Sequence, residues 1–216
     1  MYKLFYFPGN ANLAPHMLLE EIGAPYELVL VDRENNAHKS PEYLKLNPSG
    51  RIPVLVDGDL AIHEAAAICL HLVDRHPQAG LAPAPGTRER AEFYKWLVYL
   101  TNTLQAELIT YFYPERLVDD AAAAAQVKTH AEARISGENG MLDILERHLG
   151  QVGNPWLLGA HYSAADPYLV MLARWTRGMA APARSRPNFS RYLAAAVSRP
   201  AVARAFAQEG LTAPLY

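Results

Sequence analysis

The chain is poor in three features that would narrow its class at once: cysteine, charge and long apolar runs. It has one cysteine, Cys69, in 216 residues, which excludes an internal disulfide. Charged residues make up 19% and the formal net charge is -2, so the composition indicates no nucleic-acid or acidic-membrane partner. No apolar run approaches the length of a membrane span, and no signal peptide is visible. We therefore expect a globular protein of the cytoplasm.

A strand followed by a turn and a helix occupies the beginning of the chain. Residues 3–7 are apolar, residues 8–12 have turn composition, and a helix is predicted from Leu13. Helix N-termini carry unpaired N–H groups and partial positive charge. The turn with Asn10 and Asn12 is therefore a candidate binding site for an anion such as a thiolate. A simple asparagine-rich loop is the alternative, and the turn composition alone favours it.

The first third of the chain alternates between strands and helices. Two strand–helix pairs are followed by a hairpin and a further helix, which predicts an α/β domain of thioredoxin type over residues 1–76. The predicted strands cover residues 3–7, 26–31, 53–56 and 60–62, and the predicted helices cover residues 13–22, 41–46 and 64–75. A proline-rich stretch over residues 77–86 is typical of a domain linker.

Helical periodicity dominates residues 87–216, which predicts an all-α second domain. A long helix is expected through Ala131 and Leu149, with a bend or close backbone packing at Gly137 and Gly140. Ser163 to Asp166 has the pattern of a capping box and predicts a helix start. Two short helices are expected over residues 188–198 and 200–208.

Three segments in this order carry a resemblance to a known family. They are residues 47–55 (NPSGRIPVL), residues 63–68 (HEAAAI) and residues 163–166 (SAAD). A chain with this order resembles the cytosolic glutathione transferases over nearly its whole length, and its opening residues are most similar to the bacterial beta class. The resemblance implies a homodimer and glutathione as cosubstrate, without a metal. It also implies a cis Ile52–Pro53 bond, which would leave the backbone of Ile52 free to pair with a peptide ligand.

The resemblance also implies roles for individual residues. Glu64 and Ala65 open a helix, so the N–H of Ala65 would hold the γ-glutamyl carboxylate of glutathione and Glu64 would face its amine. His38 and Lys39 are placed to reach the glycyl carboxylate, although a solvated basic loop explains them equally well. The glutathione-binding residues expected on these grounds are Asn10, Asn12, His38, Lys39, Ile52, Pro53, Glu64, Ala65 and Gln105.

The chain departs from the beta-class pattern at several positions. Ala65 stands where most members have serine, so one hydroxyl donor to the ligand is missing. Ala11 and Asn12 replace a cysteine and a serine, which excludes covalent disulfide chemistry at the first turn. Gln105 replaces a histidine, and glutamine can donate a hydrogen bond but cannot exchange protons.

Thiolate stabilisation is therefore expected from Asn12, through its side-chain amide or its backbone N–H. Tyr6 is the rival, since phenols serve this role in other classes, but a tyrosine at a strand end more often packs. Asn10 would line the pocket or only shape the turn, and His16 is expected to be structural. The aromatic residues Tyr111, Phe112 and Tyr113 would line a hydrophobic substrate site, or belong to core or dimer surface.

The expected function is a glutathione transferase of detoxification type, which adds the glutathione thiolate to a small hydrophobic electrophile. One alternative is a glutathione-dependent reductase, isomerase or dehalogenase on the same fold, because fold does not determine reaction. The second alternative is a non-catalytic ligand-binding or stress-related interaction protein, since Ala11 and Ala65 replace a cysteine and a serine that are typical of the family.

Overall fold

The computed structural model describes residues 1–216, which fall into two compact units. The first unit comprises Met1–Ala82 and Ala196–Leu215, and the second comprises Pro83–Ala195 together with Tyr216. The sequence placed residues 196–215 with the helical domain, whereas their contacts group them with the first unit. None of the helices combines the length and the apolar character that crossing a membrane requires.

The first unit has a mixed four-stranded sheet with helices. Strand β1 pairs in parallel with β2 and antiparallel with β3, and β3 pairs antiparallel with β4, giving the order β2-β1-β3-β4. These strands are β1 (Tyr2–Tyr6), β2 (Tyr26–Leu30), β3 (Val54–Asp57) and β4 (Leu60–His63). The helices of this unit are α1 (Leu13–Ile22), α2 (Pro41–Leu46), α3 (Ala65–Arg75) and α10 (Pro200–Gln208). The predicted thioredoxin-like α/β fold is confirmed.

Local chemistry accounts for the ends of these helices. Ser40 caps α2, since its hydroxyl accepts from the N–H of Tyr43 at 3.2 Å, and Pro41 follows at the position where a missing N–H is tolerated. Helix α1 ends at Gly23, whose φ of 71° lies in the left-handed region that glycine adopts without a Cβ penalty. The side chains of α1 between Leu13 and Leu19 are all buried, so this helix lies in the core of the unit.

The second unit is helical, as predicted. Its helices are α4 (Arg88–Tyr99), α5 (Ala106–Phe112), α6 (Ala121–Ser136), α7 (Met141–Val152), α8 (Ala165–Trp175) and most of α9 (Pro187–Val197). A π-helical segment, Leu100–Gln105, joins α4 to α5. Such a segment changes the helical phase between α4 and α5.

One helix prediction is wrong: the single long helix through Ala131 and Leu149 is two helices. Helix α6 ends at Ser136 and α7 begins at Met141. A Cβ on Gly137 would lie 2.4 Å from the carbonyl oxygen of Ala133, so only glycine fits where the chain leaves α6. The two glycines therefore mark a break between helices and not a bend inside one.

Candidate functional site

The register of the sheet brings most of the predicted site to one end. Phe5 of β1 pairs with Val54 of β3, and Val54 pairs with His63 of β4. The turn after β1, the residues just before β3 and the start of α3 therefore lie at the same end of the sheet. Tyr6 pairs with Leu30, so the loop that follows β2 begins there too.

The side chain of Asn12 is fully buried and committed to internal hydrogen bonds. Its oxygen accepts from the backbone N–H of Phe7 at 3.1 Å, and its amide nitrogen donates to Oε1 of Glu209 at 2.8 Å. It does not cap α1. Of the two donors considered for Asn12, the side-chain amide is occupied within the protein, which leaves the backbone N–H.

Two adjacent backbone N–H groups in this turn have no hydrogen-bond acceptor. Asn10 N–H donates to Phe7 at 3.1 Å and Leu13 N–H donates to Asn10 at 3.0 Å, but no group of the chain accepts from Ala11 or Asn12 N–H. Unpaired N–H groups at a helix start, combined with the helix dipole, favour an anionic partner. The turn can therefore offer two backbone donors without using a side chain.

The segment before β3 presents a further unpaired piece of backbone. The Ile52–Pro53 peptide bond is cis, as the resemblance implied. The carbonyl of Arg51 is held by the Tyr43 hydroxyl and the Asn47 amide, both at 2.8 Å. Neither the N–H nor the carbonyl of Ile52 takes part in the sheet, so both can pair with an extended ligand.

The start of α3 is a second uncapped helix N-terminus. Glu64 precedes it with φ at 70°, an uncommon conformation for a non-glycine residue, and its side chain is 74% exposed. No side chain caps this helix, so the N–H groups of Ala65 and Ala66 have no acceptor. The buried methyl group of Ala65 supplies no donor of its own, consistent with the missing hydroxyl noted from the sequence.

The loop after β2 contributes cations at the same end of the sheet. Arg33 Nη1 donates to the side-chain oxygen of Asn10 at 3.2 Å, which ties the loop to the first turn. Burial, with Lys39 and Arg33 nearby, lowers the pKa of His38, so its ring is neutral at pH 7. Lys39 Nζ donates to the carbonyl of Ser49 at 3.2 Å while remaining exposed. Lys39 is thus the charged member of the predicted His38–Lys39 pair.

Tyr6 lies at the end of β1 and is only partly buried. Its carbonyl accepts from Val31 N–H at 2.9 Å, and its phenol makes no hydrogen bond. The phenol therefore remains available, and Tyr6 stays the rival for the thiolate.

Sequence reasoning missed Glu209, which lies directly after α10. Its carboxylate is fully buried and accepts from Gly9 N–H at 2.8 Å, from the Asn12 amide at 2.8 Å and from His16 Nδ1 at 2.8 Å. Glu209 and Asn12 are 197 residues apart in the chain, so no spacing pattern could have linked them. His16 is fully buried, in agreement with its expected structural place.

The remaining predicted residues belong to the second unit. Gln105 ends the π-helical segment, and its side-chain oxygen accepts a short hydrogen bond from the Tyr168 hydroxyl. Phe112 is 42% exposed at the end of α5 and meets the ring of Trp175 edge-on at 6.4 Å. Lys128 lies over the ring of Tyr111, and Arg116 lies over that of Tyr113. Tyr111 and Tyr113 are therefore partly covered by cations of their own unit, whereas Phe112 contacts the Trp175 ring.

One half of the predicted capping box is present: the Asp166 side chain accepts from Ser163 N–H, whereas Asp166 N–H donates to the Ser163 carbonyl and not to its hydroxyl. The Asp166 carboxylate accepts from Ser163 N–H at 2.8 Å and from Leu157 N–H at 2.9 Å, so it also fastens the preceding loop. Ser163 Oγ accepts from Ala165 N–H at 3.3 Å. Burial raises the pKa of Asp166 to about 6, against the opposing effect of these donors.

Comparison with known proteins agrees with this geometry. Residues 1–74 match the family model of the glutathione S-transferase N-terminal domain. The chain is 32% identical to glutathione S-transferase GST-4.5 of Xanthomonas campestris, over 80% of this chain and 81% of that protein. It is 31% identical to glutathione S-transferase 3 of Zea mays, over 98% of this chain and 96% of that one. The chain belongs to the glutathione S-transferase family.

Solved structures extend the likeness of this glutathione S-transferase to three dimensions. A glutathione transferase homologue from Sulfitobacter, solved with bound glutathione, has a TM-score of 0.87 and 25% identity, and covers 98% of this chain and 99% of that one. A sphingomonad glutathione S-transferase, complexed with glutathione, has a TM-score of 0.78 and 32% identity, over 97% and 100% of the two chains. The glutathione transferase fold predicted from the sequence is thus confirmed, and the chain is an enzyme of this family.

Proposed function

We propose that this glutathione S-transferase binds reduced glutathione at the sheet end of its first unit and adds the thiolate to a small hydrophobic electrophile. The observation that carries the proposal is the pair of unpaired N–H groups at Ala11 and Asn12, directly before α1. Two adjacent donors at a helix start suit a thiolate, and Ala11 removes any covalent role for the turn. Relatives solved with glutathione support the choice of ligand.

The energy needed to form the thiolate is within reach of these donors. A glutathione thiol resembles free cysteine, near pKa 8.5, and lowering it by about two units requires about 2.7 kcal/mol. A hydrogen bond to a charged acceptor contributes about 1.5–3 kcal/mol, and a helix N-terminus adds about 0.3–1 kcal/mol. One backbone N–H and the helix together give about 1.8–4 kcal/mol, a range that includes the required energy without a catalytic base, and a second N–H adds to it. Tyr6 is the alternative donor.

The rest of glutathione would be held by groups at the same sheet end. Its γ-glutamyl carboxylate would lie on the N–H groups of Ala65 and Ala66, with Glu64 facing the amine. The cysteinyl backbone would pair with Ile52 beside Pro53. The glycyl carboxylate would meet Lys39, with the neutral ring of His38 as a hydrogen-bonding neighbour.

Calorimetry with reduced glutathione tests binding, and its matched control is S-methylglutathione, which lacks the thiol. Glu64→Gln should weaken binding, because it removes the charge that faces the glutathione amine. Glu42→Gln is the matched control, since Glu42 is likewise an exposed acid near a helix start, in the first turn of α2. Equal effects of the two substitutions would contradict the assigned role of Glu64, and absence of any glutathione binding would contradict the proposed function.

Turnover is tested separately with a model aryl halide and then with a panel of electrophiles. Conjugation is the expected result, and a loss of rate on substituting Tyr111, Phe112 or Tyr113 would support a substrate role for these residues. Glutathione binding without turnover on the whole panel would favour the non-catalytic alternative. Turnover restricted to disulfide, isomerisation or dehalogenation substrates would favour another glutathione-dependent reaction on this fold.

Two coarser properties belong to the same proposal. A homodimer is proposed from the family resemblance, and light scattering after size-exclusion chromatography tests it through the mass in solution. A cytoplasmic location is proposed from the composition, and cell fractionation tests it.

A role of Gln105 in glutathione binding is tested by the Gln105→Ala variant in the same calorimetric titration.

A further inference from the structure

The buried carboxylate of Glu209 contacts the first turn at two points. It accepts from Gly9 N–H through Oε2 and from the Asn12 amide through Oε1, both at 2.8 Å. Gly9 lies two residues before Ala11 and Asn12 is itself one of the two proposed donors, so the turn is attached to Glu209 both before and after Ala11. Because the Glu209 side chain is fully buried, solvent does not compete for these bonds.

This arrangement has an electrostatic cost for an anion site. A carboxylate within reach of the turn opposes a second negative charge, since like charges in a buried region repel strongly. His16 Nδ1 lies 2.8 Å from Glu209 Oε1 and is equally buried. A proton on this ring would neutralise the carboxylate and remove the penalty.

Both ring nitrogens of His16 face oxygen atoms of other side chains. Nδ1 faces the Glu209 carboxylate, and Nε2 faces the side-chain oxygen of Gln208 at 2.6 Å and the Tyr26 hydroxyl at 3.1 Å. The Gln208 amide nitrogen donates to Glu20 at 3.0 Å, which fixes its oxygen towards His16.

Tyr26, Glu20 and Arg204 are connected to one another by hydrogen bonds next to the His16 ring. Tyr26 donates a short hydrogen bond to Glu20, and Arg204 Nε donates to Glu20 at 2.6 Å. The Glu20 charge is therefore balanced by Arg204, and the Glu209 charge is left to His16.

We propose that Glu209 is a positioning residue for the glutathione thiolate, and that protonated His16 neutralises it. The Glu209 carboxylate holds the turn in the shape that presents the N–H groups of Ala11 and Asn12, while His16 prevents that carboxylate from opposing the thiolate. The inference rests on the proposed function, because it assigns the turn to the glutathione sulfur.

The thiol pKa of bound glutathione, followed by thiolate absorbance against pH, tests the inference. In Glu209→Gln the amide nitrogen faces Gly9 N–H donor to donor, so the turn loses one attachment. We expect a rise of about one unit, with about a tenfold lower kcat/KM below the thiol pKa. His16→Gln keeps a donor to Glu209 but removes the positive charge, and we expect a rise in the same direction.

Glu21→Gln is the matched control. Glu21 lies on α1 and accepts from Arg199 Nε at 2.6 Å and Nη2 at 2.7 Å, which links the same helix to the C-terminal segment without touching the turn. Its loss should lower stability but leave the thiol pKa unchanged. If Glu209→Gln does not fold, His16→Gln decides the question.

The outcomes separate the inference from the proposed function. Wild-type protein that binds glutathione and lowers its thiol pKa, with an unchanged or lower thiol pKa in the Glu209 and His16 variants, would overturn the positioning role alone. An equal rise in Glu21→Gln would also overturn it, because general loosening would then explain the effect. Wild-type protein that fails to bind glutathione would overturn both.

Discussion

The side-chain oxygen of Asn12 accepts a hydrogen bond from the backbone N–H of Phe7 at 3.1 Å, so the turn after β1 is closed by one of its own side chains. The same side chain reaches Glu209 through its amide nitrogen. Asn12 thus shapes the turn from inside, while its backbone N–H has no acceptor within the chain.

Asn12→Ala should lower the free energy of unfolding by about 2–6 kcal/mol, because the buried Glu209 carboxylate and the partly buried Phe7 N–H each lose a hydrogen bond that is worth about 1–3 kcal/mol. Urea unfolding measures this loss. Asn10→Ala is the control and should cost less, since Asn10 is only partly buried and its oxygen accepts from Arg33 alone among side chains. A variant of Asn12 with full stability and a raised thiol pKa would show instead that its side chain reaches the sulfur.

Asp166 is expected to make stability depend on pH. Its pKa is about 6 in the folded protein and 3.8 in the reference state, so the folded protein holds the proton more tightly. This contribution is fully present below about pH 4 and is lost as pH rises through about 6. The destabilisation caused by Asp166→Asn should therefore be larger at pH 4 than at pH 7. Urea unfolding of both proteins across this range measures it, and a destabilisation that grows with pH would contradict the assignment.

The elements of the first unit could be predicted because each follows from local chemistry. Helix α2 has its cap at Ser40 and a proline at its first position, and Gly23 ends α1. The proposed glutathione-binding positions came from the order of the family motifs, and the sheet register places the strand ends that carry them together. These features depend on neighbours in sequence or on strand pairing that the motifs specify.

Glu209 and Arg33 could not be predicted, because their roles depend on contacts between distant residues. A glutamate after the last helix has no sequence feature that distinguishes it from a solvated acid, yet its side chain is fully buried. Arg33 lies in a polar loop, and only the fold brings it to Asn10. At Gly137 the sequence left a bend or close backbone packing open, and the close packing is present, but periodicity does not show that the helix ends there.

Ala65→Ser should tighten glutathione binding about tenfold, because a hydroxyl donor to a charged carboxylate contributes about 1.5–3 kcal/mol. Calorimetry measures the dissociation constant. Ala66→Ser is the matched control one residue further along α3, and it should change affinity less. An unchanged affinity in Ala65→Ser would mean that the γ-glutamyl carboxylate lies elsewhere.

Gln105 should contribute to the stability of the helical unit through its bond with Tyr168. Tyr168 is 2% exposed, so Gln105→Ala removes a buried acceptor from the Tyr168 hydroxyl. This should lower the free energy of unfolding by about 1–3 kcal/mol. Asn102→Ala is the control, because Asn102 is exposed on the same π-helical segment and should cost much less. Equal stability of the two variants in urea would contradict a structural role for Gln105.

The pH–rate profile of the transferase reaction should keep its shape in Gln105→Ala, because glutamine exchanges no proton. A lost limb in that profile would show that Gln105 controls an ionisation at the site.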